Sequence, residues 1–292
     1  MMKEYCYIVA GHCFSVESDV VDLEKGLAHY APFAVDPSTA PERIFRMRVV
    51  PESGFKVPEG LVEEFIQEDE VSQTRLSHTP EGASLFEFLV HDVLSCRLLM
   101  HPETEEVTLS FQRFPRYGLD CALMVSYALR TAHLKTALFH AAVVGYQGYG
   151  YLFLGKSGTG KSTHARLWLD SFPGAELVND DSPVVRVEND GSVRVYGSPW
   201  SGKTPCYRNM VVPAGGFVQL AQAPFNAIRR MRSIEAYASI IASISGKRWD
   251  RTMADGLHWT ENALVAAVPA WHLDCLPDEA AALLCKDTIT KG

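Results

Sequence analysis

No stretch of the 292-residue chain reaches the roughly 18 uninterrupted apolar residues that a membrane-spanning helix needs, so no such span is expected. Cysteine pairs are missing too. The seven cysteines, Cys6, Cys13, Cys96, Cys121, Cys206, Cys275 and Cys285, are scattered, odd in number and without a Cys-x-x-Cys spacing. That pattern speaks against a disulfide framework or a structural zinc site and for free thiols in a reducing cytoplasm. Positive charge is also short: 27 Lys and Arg against 35 Asp and Glu leave a net charge of −8. A nucleic-acid-binding face is normally basic, so no nucleic-acid partner is expected. The apolar run after Lys3 and Glu4 covers only residues 5–10, too short for a signal-peptide core. Internal repeats and low-complexity segments are absent. A cytoplasmic protein with neither membrane nor nucleic-acid partner is the expectation.

The length suggests two domains, at roughly 100–200 residues each. Residues 1–115 read as an α+β unit dominated by antiparallel strands. Residues 5–9 and 13–16 flank Ala10-Gly11-His12 as a hairpin, residues 44–50 alternate as a half-buried strand, and residues 96–100 and 107–111 enclose a polar turn as a second hairpin. Between them, residues 51–82 are rich in Pro, Glu, Ser and Thr and read as loops with one short helix. The lone histidines of this part, His12, His78, His91 and His101, form no catalytic constellation. The boundary is expected near residues 114–118, with a second domain over 116–292 that opens on a long apolar helical pattern, 119–135.

Chemistry begins after that helix. Residues 138–144 read as one strand carrying His140, and residues 145–150 as a turn. Residues 151–154 then read as the strand feeding Gly155-Lys156-Ser157-Gly158-Thr159-Gly160-Lys161-Ser162. The spacing Gly, four residues, Gly-Lys-Ser is that of a phosphate-binding loop. The preceding strand and the helix-compatible residues 163–169 supply the context this loop requires. Its glycines let backbone N–H groups turn around phosphate oxygens, Lys161 adds charge at the outer phosphates, and Ser162 can bind Mg²⁺. The expected nucleotide-binding set is Gly155, Ser157, Gly158, Thr159, Gly160, Lys161, Ser162 and Thr163, with ATP and Mg as cofactors.

Residues 175–178 then run as a short strand into Asn179-Asp180-Asp181. Two adjacent acids suit a magnesium nucleotide site, one holding the metal or its water and the other accepting a proton from an incoming hydroxyl. The competing reading of this segment is a solvated turn. Residues 183–187 and 192–196 form an expected hairpin that opens into segment 197–209, dense in Gly, Pro and Ser and carrying Lys203 and Arg208. This segment reads as a mobile lid or acceptor-binding loop, either cation serving as a clamp on the transferring phosphoryl group or standing as a solvated charge. Further on, residues 216–220 read as a strand. Residues 233–245 read as a helix burying Ile234, Tyr237, Ile241 and Ile244 on one face, residues 263–268 and 271–273 as strands, and a closing helix starts near Pro277-Asp278. Arg229-Arg230-Met231-Arg232 reads as a solvated strand end.

Phe139-His140-Ala141, the loop Gly155 through Ser162 with Ser157 in its third place, and Asn179-Asp180-Asp181 together resemble the catalytic domain of HPr kinase/phosphorylase and its phosphoenolpyruvate carboxykinase-like relatives. The resemblance covers about residues 119–290 and leaves the N-terminal part unmatched. It implies, for the second domain, an α/β (α+β) fold, a mixed twisted β-sheet with helices packed on it; the smaller N-terminal domain beside it is read as mainly antiparallel from its own strand pattern. It also implies Asp180 as the base, Asp181 and Ser162 at the metal, Lys161 at the β- and γ-phosphates, and His140 beside them. This chain departs from the bifunctional enzymes where they carry a Glu-Ile-Arg-Gly segment; Val195-Tyr196-Gly197-Ser198-Pro199-Trp200 stands there, which speaks against phosphorolysis.

The function expected is a Mg-ATP-dependent, HPr-kinase-like kinase acting on a hydroxyl, with serine the expected one and Asp180, Lys161, His140 and Arg208 as the catalytic candidates. The acceptor, a protein, peptide or small molecule, is not specified by the sequence, and assembly as a homo-oligomer stays open. A nucleotide-binding regulator without turnover and a carboxykinase-like enzyme are the alternatives.

Overall fold

The structure is a computed structural model that describes residues 2–19, 23–68, 71–113, 115–202, 204–248 and 250–290. It divides into two compact units, Met1–Arg130 and Thr131–Gly292, each built around a nine-stranded sheet.

The first unit comprises Lys3–Val9 (β1), His12–Ser18 (β2), Ala34–Val35 (β3), Arg43–Val49 (β4), Val62–Glu68 (β5), Ser72–His78 (β6), Ser84–Val90 (β7), Val93–Met100 (β8) and Glu106–Phe111 (β9), followed by helix Pro115–Thr131 (α1). Its strand order is β3-β1-β2-β4-β9-β8-β7-β6-β5. Both expected hairpins form, and β4 buries Phe45, Met47 and Val49 while Arg46 and Arg48 face out. Its neighbours β2 and β9 both run parallel to it, so the sheet is mixed, although most pairs are antiparallel. Residues 51–82 differ from expectation. They carry two strands, β5 and β6, and a single 3₁₀ turn at Glu52–Gly54. Neither strand shows an apolar face in sequence, because β5 is largely exposed and β6 buries only Leu76.

The division after Arg130 falls later than the expected boundary, and Phe114 of that boundary lies outside the described residues. Helix α1 belongs with the first sheet because it buries Leu119, Leu123 and Tyr127 there, and the Tyr127 hydroxyl donates to the Val9 carbonyl at 3.0 Å.

In the second unit the strands are Thr136–Leu138 (β10), Ala141–Tyr146 (β11), Tyr149–Leu154 (β12), Glu176–Asp181 (β13), Val184–Val187 (β14), Val193–Tyr196 (β15), Val211–Gln222 (β16), Ala227–Arg230 (β17) and Ala270–Cys275 (β18). The helices are Lys161–Ser171 (α2), Ser233–Ser243 (α3), Arg251–Ala267 (α4) and Glu279–Ile289 (α5). The long strand β16 belongs to two ladders. Its first residues pair antiparallel with β15, which leads through β14 to β10, while its later residues lie parallel to both β12 and β18.

Because side chains alternate across a strand, β11 and β12 feed two cores. Ala141, Val143, Leu152 and Leu154 face a cluster with Ala236 and Ile240 of α3 and Leu257 and Leu264 of α4. Ala142, Val144, Tyr151 and Phe153 face Ala165 and Trp168 of α2 and Ala282, Cys285 and Ile289 of α5. The unit is therefore an α/β sandwich with helices on both faces of a mixed sheet. Trp168 is fully buried among Tyr146, Tyr151, Phe153 and Phe172. Trp168→Ala is expected to cost about 3–5 kcal/mol, measured by denaturant unfolding, because the surrounding rings cannot close over so large a cavity.

Three expectations are corrected here. Helix α3 buries Ala236, Ile240 and Ser243, and Ile244 just past its end is buried as anticipated, but Ile234 is exposed, so the core face of the helix is rotated from the one expected. Residues 263–268 are not a strand; 263–267 are the end of α4, whose start is capped by Asp250 accepting from the Met253 N–H. Residues 138–144 are not one strand either, since the run breaks at Phe139-His140 between β10 and β11. The closing helix does start as expected, with Asp278 capping α5 through the Ala281 N–H.

Candidate functional site

The loop between β12 and α2 takes the conformation its glycines permit. Gly155, Gly158 and Gly160 hold φ of 149°, 79° and 105°, values that strain residues with side chains. A Cβ at Gly158 or Gly160 would meet nothing within 4 Å, so the crown of the loop is open. Thr159 ties the turn together through its hydroxyl to the Lys156 carbonyl at 2.8 Å, and Gln222 at the end of β16 donates to the Gly158 carbonyl at 3.1 Å. Gly160 is the N-cap of α2, and Ser162 and Thr163 stand exposed in its first turn. Orphan N–H groups and the positive end of the helix dipole at this terminus favour negative charge.

Lys161 is buried and points back into the loop. Its ammonium donates to the Gly155 carbonyl at 2.9 Å and the Lys156 carbonyl at 3.2 Å, and it lies 2.9 Å from His140 Nε2. The other ring nitrogen, Nδ1, is 3.1 Å from Asp181 Oδ1. An ammonium only donates and a carboxylate only accepts, so the two partners assign a neutral His140 with its proton on Nδ1. His140 is held at the break between β10 and β11, where its own N–H donates to the Ser243 carbonyl at 2.7 Å. Burial lowers the Lys161 pKa, with the charges of Asp181 and Asp180 pulling the other way. Burial would raise the Asp181 carboxyl, but hydrogen bonds from His140 and the Ser182 hydroxyl and the charge of Lys161 outweigh it and hold the group below its ordinary value.

Asp180 and Asp181 end β13, paired with Ala142 and Ala141 of β11. This excludes the solvated-turn reading: Asn179 is 0% exposed and Asp180 3%. Both carboxylate oxygens of Asp180 are buried with no hydrogen-bond partner among the described residues. Such a group costs about 1–3 kcal/mol or more when charged, and a bound water or ion, strain or a chemical role is what offsets that cost in native proteins. Asp181 beside it holds φ of 153°, unusual for a residue with a side chain.

Asn179 belongs to the motif read in sequence, which gave it no role of its own. Its amide donates to Ser198 Oγ at 3.1 Å and to the Trp200 carbonyl at 3.0 Å, and its Oδ1 accepts from the Ser182 N–H at 2.8 Å. The signal available was an Asn three residues before a backbone turn toward Ser-Pro, a habitual side-chain-to-backbone bonding position. Through these bonds the start of segment 197–209 lies against the acid pair. The Gly202 N–H donates to the Asp180 carbonyl at 2.7 Å, and a Cβ on Gly202 would come within 2.9 Å of that oxygen. Residues 198–202 thus form a wall along the edge of β13 beside the acid pair. Arg208 is not brought to the cluster. Its guanidinium is held by Glu176 at 2.7 Å and the Leu177 carbonyl at 2.8 Å, at the far end of β13 from Asp180, and Lys203 lies outside the described residues.

Beneath the loop, His164 of α2 is buried, accepting from Trp168 Nε1 at 3.2 Å, and burial lowers its pKa from 6.5 to about 4. The fold keeps it neutral while the unfolded chain takes up a proton. Its contribution is therefore complete above about pH 6.5, falls by about 3 kcal/mol toward pH 4 and then levels off. Denaturation midpoints at about pH 7 and pH 4.5 should diverge less in His164→Asn, whose amide can still accept from Trp168.

Among the described residues no group of three or more His, Cys, Asp and Glu could hold a metal ion, and no helix is long and apolar enough to cross a membrane. No protein-family model matches the chain, and no curated protein matches it. Among solved structures it is similar to the structure of the Hpr(Ser) kinase/phosphatase from Coxiella burnetii, at 13% identity, over 53% of this chain and 94% of that one, with a TM-score of 0.32. So loose a likeness carries no weight for the reading of this site.

Proposed function

We propose that the second unit is a Mg-ATP-dependent kinase that transfers the γ-phosphoryl group to a hydroxyl, with serine in a protein or peptide, or a small molecule, as acceptor. The observation that carries the reading is Asp180, a buried carboxylate with two unpartnered oxygens, next to the Lys161, His140 and Asp181 chain at a phosphate-binding loop. The residues fit the cofactor: the crown of the loop is open, the first turn of α2 offers its N–H groups, and an acid and a hydroxyl are available for a metal. Magnesium takes most of its ligands from phosphate and water, so Ser162 and Asp181 suffice as protein ligands. Bound Mg-ATP would supply the transferable phosphoryl group and neutralise part of its charge.

The chain's own groups do the rest. Lys161 exchanges its bonds to the Gly155 and Lys156 carbonyls for phosphate oxygens, and the loop N–H groups orient them. Neutral His140 accepts from Lys161 and donates to Asp181, fixing both. Asp180 accepts the proton of the acceptor hydroxyl on a carboxylate oxygen that nothing else occupies. The wall at 198–202 limits the approach of the acceptor to Asp180, and Arg208 has no part.

Incubating the full chain with γ-labelled ATP, Mg²⁺ and cell extract tests the reading. Label in an acceptor is expected. ATP bound tightly, with neither transfer nor hydrolysis, would leave a nucleotide-binding regulator instead.

A further inference from the structure

Sheet edges expose unpaired backbone groups, and proteins usually shorten, cover or charge them. Among the described residues, four of the five outer strands are shortened or covered. Strand β3 has two residues, β10 three and β17 four. Strand β13 is covered by the Gly202 N–H, Cys206 Sγ and the Arg208 guanidinium. Strand β5 is neither short nor covered, and its only charges are acidic. It is seven residues long, ends the first sheet beyond β6, contains no Pro, Lys or Arg, and has no further strand beside it among the described residues.

Its side chains are also unusual for an outer strand. Val62 is 54% exposed, Phe65 39% and Ile66 44%. Consecutive residues point to opposite faces, so Phe65 and Ile66 put apolar surface on both sides of the strand end. Between them run Glu63, Glu64 and Glu68, with no basic residue in the strand. A second copy of β5 would set carboxylates opposite carboxylates, which destabilises a strand pair. A basic strand would meet complementary charge and add main-chain hydrogen bonds.

We propose that β5 is a docking edge for an extended basic peptide segment of a partner protein, which adds as a tenth strand to the first sheet. Alternating Lys or Arg of the segment face Glu63 and Glu68, which the register places on one side of β5, and its β-branched residues cover Val62 and Phe65 on the other. The assignment is independent of the kinase reading, since it lies in the other unit and requires no nucleotide.

The test uses the full chain and a fluorescent peptide of about nine residues alternating Lys and Val, long enough to span β5, with a Glu-Val peptide of the same length as control. Saturable binding of the basic peptide alone is expected, together with slowed amide exchange in residues 62–68. Binding should fall about tenfold in Glu63→Lys/Glu68→Lys, and also as salt shortens the Debye length from about 10 Å toward about 3 Å. Both substitutions are at exposed positions, and an unchanged circular dichroism spectrum shows that the variant is folded. Equal binding of both peptides, no binding of either, or protection elsewhere in the chain overturns the proposal. Protection of 62–68 that grows with protein concentration alone overturns it in favour of a second copy.

Discussion

Asp180→Asn is expected to bind Mg-ATP as the parent chain does while losing transfer by about 10²–10⁴-fold, the scale for removing a general base. The substitution keeps the volume and removes the only property the proposed step uses, a lone pair basic enough to take a hydroxyl proton. The same change should raise stability, because it discharges a buried carboxylate whose oxygens have no partner. A gain of about 1 kcal/mol or more in the unfolding free energy, alongside lost transfer, is the signature of a group kept for chemistry rather than for folding. A structural acid would give the reverse, lower stability together with lost activity. Retained transfer would assign the proton to another group.

Lys161→Ala acts on the other side of the reaction. Charge-assisted hydrogen bonds to phosphate contribute about 1.5–3 kcal/mol, so the dissociation constant for Mg-ATP should rise about 10- to 100-fold by calorimetry. The variant also leaves His140 Nε2 and the Gly155 and Lys156 carbonyls without their donor, so some of the loss comes from a looser loop. Lys161→Arg separates the two contributions. It keeps the charge, but its planar fork cannot place three donors where one ammonium did, so binding should recover in part and transfer less. Unchanged nucleotide binding in Lys161→Ala would remove the loop from the account.

The loop and the acid pair were legible because each is a local pattern: glycines at fixed spacing before a helix, and two carboxylates closing a short apolar strand. What sequence could not supply was the long-range pairing that gives them meaning. His140 owes its position to a strand break and to the Ser243 carbonyl about one hundred residues away, a contact no local periodicity announces. The roles open to Arg208 turned on which end of β13 it would reach, and it reaches Glu176. Residues 263–268 show why a short apolar run is ambiguous, for the same six letters suit a buried strand and the end of an amphipathic helix, and only the Asp250 cap upstream decides. Strands β5 and β6 escaped notice for the opposite reason, since neither has the one-sided burial that marks a strand in sequence. Asn179 lies within β13, and its side chain, buried beside the acid pair, accepts from the Ser182 N–H where the strand ends.

The central claim is that the second unit moves phosphate and that Asp180 is the group that permits it. The parent chain and Asp180→Asn, each saturated with γ-labelled ATP and Mg²⁺ in the same cell extract, test it side by side. The account predicts a labelled acceptor with the parent chain, none above background with the variant, and equal nucleotide binding by both. Equal labelling by both proteins, or ATP held by the parent chain with its label intact, would contradict it.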